Sequence, residues 1–255
     1  MTRPGHETTL DDRRPPPHAW LAYVLPLAVF LVVGSLEPTR EQPGGAALGL
    51  AIPYAAYPVV YGLKILATVA ALAWAWPAYR QFPRRVGPLA IGVGLVGAVV
   101  WIVLARLRLE AELLDWLGLQ GWMKVGARSG FNPLAELPNR PLAAWSVLGL
   151  RLFGLVAVVA VAEEVFLRGF VMRLVVAEDW QRVPFGRATT ASLVAGTLVP
   201  MLMHPGELLA AAVWFTLVTW LMVRTRSLWD CIAAHAVTNL GLAVYALASG
   251  HWELL

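Results

Sequence analysis

Eight ionisable side chains and one amide interrupt the long apolar runs of this sequence: Lys64, Arg151, Glu163, Glu164, Arg168, His204, Asp230, His235 and Asn239. Ionisable groups inside apolar runs of membrane length are costly and mark candidate functional sites. Glu163 and Glu164 follow the unbroken apolar stretch 152–162 and precede Val165-Phe166-Leu167-Arg168. On a helix Glu164 and Arg168 are i,i+4 neighbours and neutralise each other. Glu163 is turned away by about 100° and stays free, and a free carboxylate out of water is suited to general-base work. The plainer alternative is that the two glutamates mark a membrane–water boundary, where polar groups collect. His235 and Asn239 share one face of a helix at the same i,i+4 spacing. Both donate hydrogen bonds, so the pair can hold an oxyanion; as an alternative, such residues also glue membrane helices together. His204 directly precedes Pro205, which disfavours helical geometry before it, so a helix is expected to end there. Taken alone, His204 reads equally as an interfacial histidine.

Together these residues form a more specific pattern. Glu163-Glu164-Val-Phe-Leu-Arg168-Gly169, His204 and His235-Ala-Val-Thr-Asn239 resemble the motifs of the CAAX protease and bacteriocin-processing family, the Rce1-like glutamic intramembrane proteases. The resemblance covers about 143–248. It implies that Glu163 and His204 hold and deprotonate a water, that His235 and Asn239 stabilise the oxyanion, and that Glu164 and Arg168 are a supporting structural pair. It also implies an intramembrane endopeptidase with no metal and no cofactor, acting on a peptide or protein substrate with a membrane-proximal or lipidated C-terminal segment. One position departs from the family: Pro200 stands where its second motif usually has Phe, and Pro200 is expected to kink its helix. Leu-Met-His-Pro and Ser-Leu-Trp-x-Cys are similar to the subgroup associated with bacterial sorting signals of the PEP-CTERM type. A bacterial inner membrane follows from the same resemblance. Three other readings use the same residues. A zinc metalloprotease would take the two histidines and the glutamates as ligands, although no His-Glu-x-x-His helix is present. A non-catalytic scaffold or immunity-type protein would keep the fold alone. A transporter would use Lys64 in a relay, but no internal repeat supports it.

The elements that must position these residues are all-α. The chain has 255 residues, 58% of them hydrophobic and 14% charged, against about 25% charged in ordinary soluble domains. This excludes a soluble globular class and a disordered one. Cys231 is the single cysteine, so no disulfide framework exists. The positive charge is not clustered as a nucleic-acid surface would be. Residues 1–18 are polar and proline-rich and read as a disordered tail; 19–255 read as one membrane-embedded domain. Seven apolar runs, 19–36, 57–79, 88–105, 143–176, 188–204, 207–223 and 227–248, predict a polytopic transmembrane helical bundle of about seven spans. The 107–119 segment alternates apolar residues with Glu110, Glu112 and Asp115 and reads as a surface amphipathic helix. Lys and Arg favour the segments on the N-terminal side two to one, which puts the N-terminus in the cytoplasm. Trp20, Trp74, Trp76, Trp101, Trp145 and Trp229 lie near run ends, where indoles sit at headgroup level. Cys231 reads as a packing residue.

This layout contains a conflict of depth. If 143–176 and 188–204 are simple spans, Glu163 and His204 fall near opposite faces of a hydrocarbon core about 30 Å thick. A shared water therefore requires 142–152, with Arg151, to be interfacial or tilted and the span to begin near Phe153.

Overall fold

The structure, a computed structural model, describes residues 18–107, 114–118 and 129–255. The expected tail, apart from His18, lies outside these residues. So does most of the expected amphipathic helix, of which only 107 and 114–118 are described.

The architecture is helical, and among the described residues the only β pairing is an isolated bridge between Gly44 and Ile52. The main helices are α1 (Leu21–Gly34), α2 (Tyr57–Tyr79), α3 (Pro88–Leu107), α4 (Pro141–Val176), α5 (Thr190–Met203), α6 (Leu208–Thr225) and α7 (Leu228–Ser249). Each falls on one of the seven apolar runs. Counting short 3₁₀ turns at their starts, α2, α3, α4, α6 and α7 are long and apolar enough to cross a membrane; α1 and α5, at 14 residues each, are shorter. Large apolar side chains such as Leu66, Val99, Leu142, Leu202 and Val244 face outward, as they do where lipid is the solvent.

Local sequence signals set the helix ends. Thr189 and Ser192 form a reciprocal capping box at the start of α5, satisfying two orphan backbone donors. Ser227 caps α7 by accepting the Asp230 amide. Gly250 ends α7 at φ 80°, a left-handed geometry that glycine adopts without strain.

One end of the bundle is rich in exposed arginine: Arg80, Arg84, Arg85, Arg182, Arg187, Arg224 and Arg226. Its connections are pinned by side chains. The Gly87 amide donates to Asp230 (2.8 Å), Ser227 Oγ to Arg85 O (3.1 Å) and Trp229 Nε1 to Phe82 O (3.3 Å). Arg168 and Arg173 come from the same stretch of sequence but do not join this surface. Both are buried, and Arg173 binds the carbonyls of Gly169, Gln181 and Val183.

The opposite end carries the Arg40–Glu136 pair and a buried Lys64–Glu37 pair. The Lys64 ammonium also lies over the Phe30 and Tyr61 rings. Lys64 is thus paired with an acid beyond the end of α1.

Helix α4 has 36 residues and is about 50 Å long, well over the core thickness. Arg151 is buried at 2% exposure and is held by main-chain oxygens of Phe131 and Leu255. Two wide π-helical turns, Gly154–Val159 and Val165–Val171, flank the short α-helical stretch Ala160–Glu164. A π turn shifts the i→i−4 pattern and leaves carbonyls to find other partners.

Candidate active site

The two glutamates sit between the π turns of α4, against α7. Glu164 is fully buried, and Arg168 reaches it at 2.8–2.9 Å. Arg168 Nη2 also donates to Phe215 O (3.4 Å), with the guanidinium 5.5 Å from the Phe215 ring centre. The i,i+4 pair expected from spacing is present.

His235 joins this pair. Its Nδ1 lies 2.9 Å from Glu164 Oε1. The arginine-bound carboxylate is an acceptor, so Nδ1–H is the donor, and in a neutral imidazole Nε2 then carries the lone pair. Nε2 faces Glu163 Oε2 at 3.9 Å, too long for a direct hydrogen bond. Glu163 is 9% exposed and has no lysine or arginine partner among the described residues.

Asn239 lies one turn further along α7. Its Nδ2 donates to Leu155 O at 2.8 Å, a carbonyl within the first π turn. One amide hydrogen of Asn239 therefore ties α7 to the widened part of α4, and the second remains available.

His204 ends α5 as Pro205 requires, with φ −124° and ψ 58°. Its Nδ1 lies 2.9 Å from Pro200 O, and since a carbonyl only accepts, Nδ1–H donates and Nε2 is again the lone-pair nitrogen. The ring packs on Trp101 and on Phe215, each 5.6 Å away between centres. Phe215 lies 6.4 Å from His235, and Trp214 lies 4.5 Å from it. The two histidines thus flank one aromatic wall. The imidazole that faces Glu163 is that of His235.

The short α5 removes the conflict of depth. At 14 residues it rises about 21 Å from the arginine-rich end before Pro205–Glu207 turns the chain back. Glu163 stands about 20 Å from the α4 end on that side, and His235 about 10 Å from the start of α7. Each of these rises is shorter than a core about 30 Å thick.

Close helix packing holds this arrangement. At Gly97 on α3 an added Cβ would come within 2.6 Å of Trp214 Cδ1 and 2.8 Å of Thr238 Oγ1. Glycine there lets α3 lie directly against the α6–α7 hydrogen bond from Trp214 Nε1 to Thr238 Oγ1 (2.9 Å), the usual role of small residues between membrane helices. Cys231 is fully buried and bonded to Ser227 O, a packing position. Trp101 differs from the headgroup-level placement expected of it: it is 4% exposed and lies against His204. Sequence reasoning missed it at the site because its position near a run end suited an interfacial indole equally well. Among the described residues no group of three or more His, Cys, Asp and Glu side chains is arranged to hold a metal ion.

Residues 144–241 match the family model described as type II CAAX prenyl endopeptidase, Rce1-like. No curated protein and no solved structure matches the chain. The matched stretch contains Glu163, Glu164, Arg168, His204, His235 and Asn239. Over that stretch the chain is similar to the Rce1-like CAAX proteases, a family of membrane endopeptidases.

Proposed function

We propose that this protein is an intramembrane endopeptidase in which Glu163 is the general base. The observation that carries this reading is the 3.9 Å approach of Glu163 Oε2 to His235 Nε2. Two acceptors face each other there, and a group that donates to both, such as a water molecule, suits the gap. Glu164 fixes the tautomer and orientation of His235, and Arg168 holds Glu164 in place; an oriented base backed by a carboxylate is a recurrent arrangement for activating a nucleophile. The water oxygen attacks the scissile carbonyl while Glu163 takes its proton. His204, with its Nε2 free across Phe215, takes part in proton transfer to and from the reacting groups. The free amide hydrogen of Asn239 is a donor for the carbonyl oxygen. No cofactor enters this scheme.

The substrate is a protein or peptide with a membrane-proximal or lipidated C-terminal segment, drawn from the bilayer. The site residues on the page are equally suited to a prenylated tail and to a sorting signal of the PEP-CTERM type. The exposed arginines gathered at one end support an orientation in a bacterial plasma membrane with that end and the N-terminus cytoplasmic.

The test is mass spectrometry of protein termini in membranes from cells carrying the wild type or Glu163→Ala. Uncut termini that accumulate only in the mutant are expected, and they name the substrate and the bond. Identical termini in both strains would overturn the endopeptidase reading in favour of a non-catalytic scaffold.

A further inference from the structure

Trp101 lies on α3, outside the 144–241 stretch matched by the family. Its indole meets His204 edge to face at 5.6 Å and 77°, and Trp214 at 6.0 Å and 75°. It is 96% buried, and its Nε1 has no hydrogen-bond partner. A buried indole N–H ordinarily finds an acceptor, and each one left without is costly and calls for a reason. The adjacent indole shows the ordinary case: Trp214 Nε1 donates to Thr238 Oγ1, which donates in turn to Gly94 O, both at 2.9 Å.

The other donors around the site are largely committed. His235 Nδ1 is held by Glu164, His204 Nδ1 by Pro200 O and one Asn239 hydrogen by Leu155 O. Arg168 is spent on Glu164 and Phe215 O. Attack by water on a peptide carbonyl moves the C=O π pair onto oxygen, and that developing charge is stabilised by N–H donors already in place.

We propose that Trp101 Nε1–H, held against His204 in a dry aromatic wall, donates a hydrogen bond to the scissile carbonyl oxygen of the substrate and to the oxyanion formed from it. The inference rests on the endopeptidase reading above. In the step, the water oxygen bonds to the carbonyl carbon and one water proton passes to Glu163. The oxyanion is shared between Trp101 and the free amide hydrogen of Asn239. Its collapse breaks the C–N bond, and the proton is returned to the departing amine. Trp101 would then be a catalytic residue contributed by the half of the chain that the family match does not cover.

The experiment compares wild type, Glu163→Ala, Trp101→Phe, and a variant whose Trp101 is replaced by its benzothiophene isostere. The isostere keeps the shape of the indole and puts sulfur in place of N–H. The readout is the rate at which Glu163-dependent termini appear after pulse labelling, with thermal unfolding of each purified variant measured in detergent. Both Trp101 variants are expected to keep wild-type unfolding and to process about 10²-fold more slowly, the scale of losing one oxyanion donor. Wild-type rates in the isostere variant would overturn the proposal, and so would its failure to fold, since the N–H would then serve the structure. If Trp101→Phe alone fails to fold, the isostere decides by the same criteria. Absence of any Glu163-dependent terminus would instead overturn the endopeptidase reading itself, and the role of Trp101 with it.

Discussion

Arg151 and Arg168 are both buried on α4, at 2% and 0% exposure, and the molecule meets their charge in opposite ways. Arg168 faces a carboxylate, Glu164, which it shares with His235. Arg151 has no acidic side-chain partner among the described residues; main-chain oxygens of Phe131 and Leu255 hold it beneath the Tyr57 ring. The first arrangement uses a cation to hold a buried carboxyl group, so that the acid can orient an imidazole. The second spends a cation to tie connections together. A helix of one composition therefore carries a region organised for proton chemistry and a region organised as a clamp, and the difference lies in what each guanidinium finds opposite it.

The sharpest way to break this comparison is at Glu163, which belongs to the first region without belonging to its ion pair. Glu163→Gln removes the base and keeps the size of the side chain. Its processing rate is expected to fall by about 10²–10⁴-fold with unfolding unchanged, measured on the substrate that the comparison of termini identifies. A variant that loses stability in proportion to activity would make Glu163 part of the scaffold.

The arginines come next. Arg168→Met leaves Glu164 as an unpaired buried charge and is expected to cost about 3–5 kcal/mol, read from denaturant unfolding in detergent. The double variant Glu164→Gln, Arg168→Met removes both charges. It is expected to recover most of that stability, yet to stay slow, because His235 has lost the carboxylate that sets its tautomer. Arg151→Met orphans main-chain oxygens rather than a buried acidic side chain. The expected cost is about 1–3 kcal/mol, with the rate per folded molecule retained. Equal losses of rate in Arg151→Met and in the double variant would erase the distinction between the two regions.

The reach of the sequence follows the same division. Helices α1 to α7 were legible because each is an apolar run bounded by polar or proline-containing segments. The Glu164–Arg168 pair was legible because i,i+4 contacts depend only on helical geometry. The end of a helix at His204 was legible from Pro205. The attachment of His235 to Glu164 was not, since it depends on the register of α7 against α4, which no local spacing encodes. Nor were the π turns: the stretch Gly154–Val159 has the same apolar composition as a regular helix, and its widening shows only in Leu155 O turning to Asn239. The length of α5 was not legible either: apolar composition alone extends that run from 188 to 204, whereas the helix spans Thr190–Met203.

The smallest expected effect is that of metal removal, and it tests whether the first region has been read with the right chemistry. A zinc site would need the imidazole nitrogens and carboxylates free to converge. In the structure His235 Nδ1 is committed to Glu164, His204 Nδ1 to Pro200 O, and Glu164 to Arg168. Only Glu163 and the two Nε2 atoms are left, and His204 packs on Trp101 and Phe215 whereas His235 packs on Trp214 and Phe215. Dialysis against a strong chelator is therefore expected to leave the processing rate of the purified protein unchanged, and added zinc to give no gain. Activity that disappears with the chelator and returns with zinc would make Glu163, His204 and His235 ligands. Arg168 would then be holding Glu164 as an outer support of a metal rather than of a base, and the contrast with Arg151 would need a different cause.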